Sequence, residues 1–245
     1  MKADPADQRR LLDLQATDTA LTQLAHRRTH LPELAELEKL DAELRAATDG
    51  QVRAQTAVDD LDRDISRAER DVEQVRTRVA KDRALLESGR GGAKELESLQ
   101  HELASLDRRQ SELEDAELEL MEQREQAAAA LATATEQQSE VRQARDAAEQ
   151  RRTEALVQLS EQEQQRREQR DPLAAALPDD LLAAYERIRS NTGIGAAMLR
   201  ARRCEGCRLE LSGSELAQVR AAAPDEVIRH EECGRILVRT DESGL

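Results

Sequence analysis

Three of the chain's ten glycines fall within five residues, Ser88-Gly89-Arg90-Gly91-Gly92. Between Pro32 and Pro172 there is no proline, and the only other glycine in that span is Gly50. A glycine costs a helix interior about 1 kcal/mol relative to alanine, so three together mark a break. Roughly eighty residues of helical pattern lie on either side of it. Two matched helices joined by a short glycine loop predict an antiparallel intrachain hairpin, with each arm roughly 120 Å long at the α-helical rise.

The pattern on each side is a heptad. Leu37, Leu40, Leu44, Ala47, Gln51, Ala54, Val58, Leu61, Ile65, Ala68, Val72, Val75, Val79, Asp82 and Leu86 follow one another in steps of three and four without a slip. Beyond the break the rhythm resumes at Leu96, Leu99, Leu103 and Leu106 and runs to Ala155 and Leu159. A repeat of 3.5 residues implies a left-handed supercoil. Gly50-Gln51 is the weak point of the first arm and a candidate bend. In the second arm one of the two seam positions is usually polar from Gln110 onward, with Glu117, Arg124, Gln138, Arg145 and Arg152. Such a seam is expected to be looser away from the tip. Its polar residues either meet a partner or, more simply, snorkel to solvent.

Composition supports helices rather than a compact globule. There is no Phe or Trp, Tyr185 is the sole aromatic, and 36% of residues are charged, against about 25% in a typical domain. Disorder is the competing reading of so polar a chain, but it does not predict a sustained heptad. The net charge is −14. From Gly193 onward eight arginines and nine acids give −1, which leaves −13 on the first 192 residues. The arms therefore repel bare phosphates, whose affinity comes from Lys and Arg. No signal peptide or apolar run of about 20 residues is visible, so the cytoplasm is the expected location, with no membrane partner.

Asp4-Pro5 reads as a helix start, cap followed by first-turn proline. The helix it opens carries Leu11, Leu14, Leu21 and Leu24 on one stripe and is expected to break at Pro32. Glu161 to Arg170 reads as an exposed end of the second arm, and Pro172 and Pro178 mark the exit from it. Pro178-Asp179-Asp180 opens a short helix with the stripe Leu181, Leu182, Tyr185 and Ile188, closed by Asn191-Thr192-Gly193. Tyr185 is expected to pack against the segment that follows rather than to stack on a base. The expected ranges are a hairpin over 1–171 with its tip at about 88–92, a linker and short helix over 172–192, and a small domain over 193–245.

The small domain holds the one constellation with chemistry. Cys204, Cys207, His230 and Cys233 form the pattern C-x2-C-x22-H-x2-C. Each pair sets two donors on one tight turn, beside Gly206 or Gly234, and two such turns complete a tetrahedron. Thiolates and an imidazole are the donor set of structural zinc, and with four protein donors no coordination position stays open for catalysis. One structural Zn2+ is expected, contributing much of the folding energy of a segment with so little core. Two other readings exist: a redox pair at Cys204 and Cys207, or a solvated His230 with Glu231, Glu232 or water in fourth place. Strands are expected over Ala196–Arg202, around Leu209–Leu211 and over Arg235–Val238, with a short helix opened by the capping-box pair Ser212 and Glu215. His26, His30 and His101 read as single surface residues.

Several motifs carry a resemblance to a known family. They are Leu11-Leu12-Asp13-Leu14-Gln15, Asp18-Thr19, the Leu31-Pro32 break, Lys94-Glu95-Leu96, Tyr185-Glu186-Arg187-Ile188-Arg189, Cys204-x-x-Cys207 and Cys233-Gly234-Arg235-Ile236-Leu237. The chain resembles the bacterial coiled-coil proteins with a C-terminal C4-type zinc ribbon, over nearly its whole length. That family has cysteine where this chain has His230. The resemblance implies a helical hairpin bearing a zinc ribbon. Members have been described as predicted nucleic-acid-binding proteins, and some look like adaptors or chaperones of flagellar or type III secretion systems, linked to an alternative sigma factor.

The fold class is thus mostly α, a long antiparallel coiled-coil hairpin with a small C-terminal zinc ribbon. The expected function is a non-enzymatic adaptor or chaperone-like protein that binds other proteins. The alternative is a nucleic-acid-binding protein using Arg200, Arg202, Arg203 and Arg208, four arginines within nine residues; the competing reading of those arginines is that they balance the thiolates and neighbouring glutamates. An enzyme is not expected: no phosphate loop of the spacing G-x-x-x-x-G-K-[ST] and no nucleophile–base set is present.

Overall fold

The computed structural model describes residues 1–245. The chain forms two compact units, one from Met1–Leu34 with Arg151–Leu245 and one from Ala35–Gln150. Five helices and four strands occur in chain order: α1 (Pro5–Thr29), α2 (Pro32–Glu87), α3 (Ala93–Ala175), α4 (Asp179–Thr192), β1 (Ala196–Arg200), β2 (Arg203–Cys204), α5 (Gly213–Ala221), β3 (Ile228–Arg229) and β4 (Ile236–Val238).

In the unit spanning Ala35–Gln150, α2 and α3 run antiparallel as a long hairpin. The heptad seam holds position by position: each of the fifteen named residues from Leu37 to Leu86 is buried or half-buried, as are Leu96, Leu99, Leu103 and Leu106. α2 continues unbroken through Gly50, so the candidate bend does not end the helix. The polar seam residues of α3 do something neither expectation anticipated, because they reach across to α2. Arg124 Nε donates to Asp62 Oδ1 at 2.9 Å, Gln138 Nε2 to Thr48 Oγ1 at 3.1 Å and Arg145 Nε to Asp41 Oδ1 at 3.2 Å. At the tip α2 stops at Glu87, Gly89 takes the left-handed φ of 62°, and the Gly92 amide donates to Glu95 Oε2 at 2.9 Å as α3 starts.

In the other unit α1 starts as read: Asp4 accepts from the Ala6 amide at 2.7 Å, and Pro5 is the first helical residue. It ends at Thr29, two residues before Leu31-Pro32. His26 and His30 are not single: their rings stack at 4.0 Å with 5° between planes. α3 does not stop at Pro172 but runs through it to Ala175. A proline removes one amide and crowds the preceding turn. Here the last turn is held by packing of Leu173 and Ala174 and by Arg170, which donates to Asp18 at 2.7 Å. Arg170 is therefore an anchor rather than part of an exposed end. α4 closes on Gly193, whose φ of 79° and amide bond to the Arg189 carbonyl at 2.8 Å form the expected left-handed cap.

The strands form one sheet in the order β2-β1-β4-β3, with β1 and β4 parallel and the outer pairs antiparallel. β1 ends at Arg200, earlier than the expected Arg202, because Ala201 and Arg202 turn the chain at φ 45° and 68°. The tail braces that turn: the Ala201 amide donates to the Glu242 carbonyl and the Arg202 amide to the Ser243 carbonyl, both at 2.8 Å. The returning segment near Leu209 makes a single bridge, Arg203 to Glu210.

The expected range of 1–171 for the hairpin differs from the compact units, which gather α1 with the ribbon. One core explains the grouping: Leu11 and Leu14 of α1, Leu181, Tyr185 and Ile188 of α4, Ala196 of β1 and Ile236 and Val238 of β4 are buried together. Main-chain pairing reinforces it, with the Ala3 amide donating to the Asp225 carbonyl at 2.8 Å and the Val227 amide to the Met1 carbonyl at 3.1 Å. Tyr185 is 0% exposed, which removes it from any base-stacking role. A Cβ on Gly195 would lie 2.5 Å from the Tyr185 ring, so the chain must be glycine where β1 begins.

Candidate metal centre

Two turns bring the four donors together. Cys204 ends β2, and its carbonyl accepts from the Arg208 amide at 2.7 Å; Arg208 takes φ 64° to close the turn. The second turn repeats the device, with the Gly234 amide donating to the His230 carbonyl at 2.8 Å and Gly234 at φ 69°. Arg208 thus occupies a conformation that its counterpart leaves to glycine. Gly206 is needed for a different reason: a Cβ there would meet Arg235 Cδ at 2.8 Å and Ala197 Cβ at 2.9 Å.

The donor atoms of Cys204, Cys207, His230 and Cys233 all lie within 4.8 Å of one another. Cys204 Sγ and Cys233 Sγ are 4.0 Å apart, and His230 Nδ1 lies 3.3 Å from Cys207 Sγ and 3.1 Å from Cys233 Sγ. A zinc tetrahedron with its usual bond lengths needs about 3.8 Å between sulfurs and about 3.5 Å between sulfur and nitrogen. The site therefore fits the ion in size and in chemistry. His230 is 1% exposed and presents Nδ1, not Nε2, to the thiols.

The thiols differ in readiness. Burial pushes the Cys204 thiol up to about 11. Burial acts on Cys207 in the same direction, but the Leu209 amide, the two neighbouring thiols and the Arg235 guanidinium together hold it below its ordinary value. Cys207 is thus nearer than Cys204 to the deprotonated form that serves as a metal ligand. Beyond the ring, Glu215 faces Nε2, with Oε1 at 3.9 Å. Its carboxyl is held below its usual range: burial would raise it, but the Ser212 and Glu231 amides that donate to it outweigh that effect.

The comparisons agree with this geometry. The CT398-like coiled coil hairpin domain matches residues 14–193, and the C4-type zinc ribbon domain matches residues 203–237. The chain belongs to this hairpin-and-ribbon family. An uncharacterized protein of Mycobacterium tuberculosis (strain H37Rv) is 45% identical over 241 residues, covering 98% of each chain. A solved Mycobacterium smegmatis structure is 38% identical with a TM-score of 0.87, covering 98% of this chain and 100% of that one. The structure of CT398 from Chlamydia trachomatis shares the fold at 20% identity, with a TM-score of 0.67 over 96% of this chain and 98% of that one. A single structural zinc belongs to the ribbon of this family member, with His230 standing in a C4-type pattern.

The four ribbon arginines do not form one patch of free cations. Arg200 Nε lies 2.8 Å from Glu242 Oε2, Arg203 Nη2 3.1 Å from Glu210 Oε1, and Arg202 Nε donates to the Gly244 carbonyl at 2.9 Å. Arg208 is exposed beside the first zinc turn. Sequence reading placed Glu215 only as a helix cap and gave no role to Gln15 or Asp18. Gln15 Oε1 accepts from the Gly195 amide at 2.7 Å and from Tyr185 Oη at 3.2 Å. The Leu11-to-Gln15 and Asp18-Thr19 motifs were the available signal for both residues. No helix is long and apolar enough to cross a membrane.

Proposed function

We propose that this protein is a non-enzymatic, cytoplasmic zinc-binding adaptor, chaperone-like in action, whose coiled-coil hairpin engages protein partners. The observation that carries the reading is an apolar pair on α3. Leu118 is 59% exposed and Met121 is 48% exposed, and neither occupies a seam position. Residues three apart share a helix face, and a flexible methionine beside leucine suits a surface that adapts to a partner helix. The acidic charge of the arms favours protein over phosphate. Zinc held by four protein donors keeps no open position, which supports a structural role for the ion.

Nucleic acid binding through Arg200, Arg202, Arg203 and Arg208 is the weaker reading. Three of the four are engaged within the ribbon, and there is no exposed aromatic on which a base could stack.

The test is a pull-down of the tagged full chain from its own cell lysate, with and without nuclease, beside the variant Leu118→Glu/Met121→Glu. A defined protein that survives nuclease and is lost with the variant is the expected result. Proteins that vanish with nuclease, while nucleic acid elutes from untreated beads, overturn the reading and move function to the ribbon arginines.

A further inference from the structure

We propose that His230 and Glu215 act as one unit in place of the fourth cysteine of a C4-type ribbon, with Glu215 as the positioning residue that holds the imidazole for zinc through Nδ1. The argument starts from the two ring nitrogens. Nδ1 sits among the thiols, 3.1 Å from Cys233 Sγ and 3.3 Å from Cys207 Sγ. Nε2 points the other way, is buried and has no hydrogen-bond partner. A neutral imidazole that gives its Nδ1 lone pair to a metal carries its proton on Nε2. That proton must then be placed in a site closed to water.

The acceptor facing it is Glu215 Oε1, at 3.9 Å. This is longer than a hydrogen bond, so the contact is a poised one that a proton on Nε2 would draw closed. Glu215 is itself 6% exposed and held from two sides. Oε2 accepts from the Ser212 amide at 2.9 Å as half of the capping box of α5, and Oε1 accepts from the Glu231 amide at 3.1 Å. One carboxylate therefore links the start of α5, the turn after His230 and the metal ligand.

Charge gives the pairing a second purpose. Four thiolates around Zn2+ leave a site of formal charge two minus, and three thiolates with a neutral imidazole leave one minus. The Glu215 carboxylate restores the missing negative charge one layer out. A carboxylate behind a metal-bound histidine also raises the basicity of the ligand and fixes its tautomer.

The test is a double-mutant cycle on the full chain, with zinc affinity read by competition against a chromophoric chelator. The variants are Glu215→Gln, His230→Cys and the two combined. Glutamine preserves the capping box, which accepts Glu or Gln at this position. Glu215→Gln is expected to weaken zinc binding by roughly 10–100-fold when residue 230 is histidine, and by less than about threefold when it is cysteine, the difference being the coupling. An equal loss in both backgrounds, or no loss in either, overturns the proposal and leaves Glu215 as a helix cap. A measurement on the unaltered protein stands beside it: nitrogen NMR of the zinc-loaded chain should show His230 metal-bound at Nδ1 and protonated at Nε2. Metal bound at Nε2 would refute the assignment without any variant.

Discussion

Tyr185 donates its hydroxyl proton to Asp18 at 2.7 Å across 167 residues of sequence. Asp18 is 2% exposed and also receives Arg170 Nε at 2.7 Å, with Arg189 Nε at 3.3 Å. This carboxylate therefore joins α1 to the last turns of α3 and to α4. Tyr185→Phe keeps the ring and removes one donor among several, so a loss of about 1–2 kcal/mol is expected. Asp18→Ala strips the acceptor from two guanidinium groups and a buried hydroxyl, and about 3–5 kcal/mol is expected. Urea unfolding of the zinc-loaded chain measures both; a Tyr185→Phe loss equal to or above that of Asp18→Ala would contradict this ranking.

The same contact sets a response to alkali. Burial, and then the bond to Asp18, push the Tyr185 phenol well above its ordinary value. A pKa raised in the fold means that the folded state holds its proton where the unfolded state releases it. The stabilisation is complete below the unfolded value of about 10 and is lost as pH rises beyond it. Because Tyr185 is the sole aromatic, near-ultraviolet absorbance reports this group alone. Tyrosinate is expected to appear together with loss of structure rather than before it. Full ionisation near pH about 10 with the helices intact would show that the phenol is not held as the packing implies.

The hairpin seam was legible because its signal is local and repeated: a slip of one residue anywhere from Leu37 to Leu86 would have broken the register. The metal site was legible because each ligand pair is set by a four-residue turn. The attachment of α1 to the ribbon was not. The stripe of Leu11 and Leu14 announces a buried face but not what covers it, and Gln15 meets its partner Gly195 only 180 residues later. Pro172 misled for a related reason. The rule against proline in helices describes the local cost, whereas Leu173, Ala174 and Arg170 are held by contacts that no local window contains. The polar seam of α3 was read as weakness because the acceptors on α2 lie across the hairpin, not nearby in sequence.

Zinc removal should divide the chain. The four ligands all lie in the ribbon, and zinc binding to such a site contributes about 10–16 kcal/mol, which is largely folding free energy. Stripping the ion with a strong chelator is expected to unfold residues 193–245 and to loosen α1, whose Leu11 and Leu14 share the core with Ile236 and Val238. Ala35–Gln150 contains no ligand and should keep its helices. Limited proteolysis followed by mass spectrometry reads the outcome. Early cuts within 35–150, or a ribbon as resistant as before, would contradict the division.

The cross-seam contacts of α3 make a last prediction about what polar residues do in a coiled coil. Gln138 donates to Thr48 Oγ1, but that hydroxyl also donates to the Leu44 carbonyl at 2.7 Å. Gln138→Leu therefore orphans nothing and adds half-buried apolar surface, for an expected gain of about 1 kcal/mol. The exposed pair Arg124–Asp62 contributes little by itself, on the order of 0.2–1 kcal/mol. These polar positions are thus poor glue, and their value lies in pairing that only one alignment of the two arms satisfies. The triple variant Arg124→Leu/Gln138→Leu/Arg145→Leu should resist urea better than the natural chain, yet self-associate in sedimentation runs, because a more apolar seam with fewer polar pairs accepts other registers and other copies. A triple variant that is less stable would show that the polar contacts stabilise the hairpin outright. One that is more stable and still monomeric would show that register is set elsewhere, with the glycine tip as the remaining device.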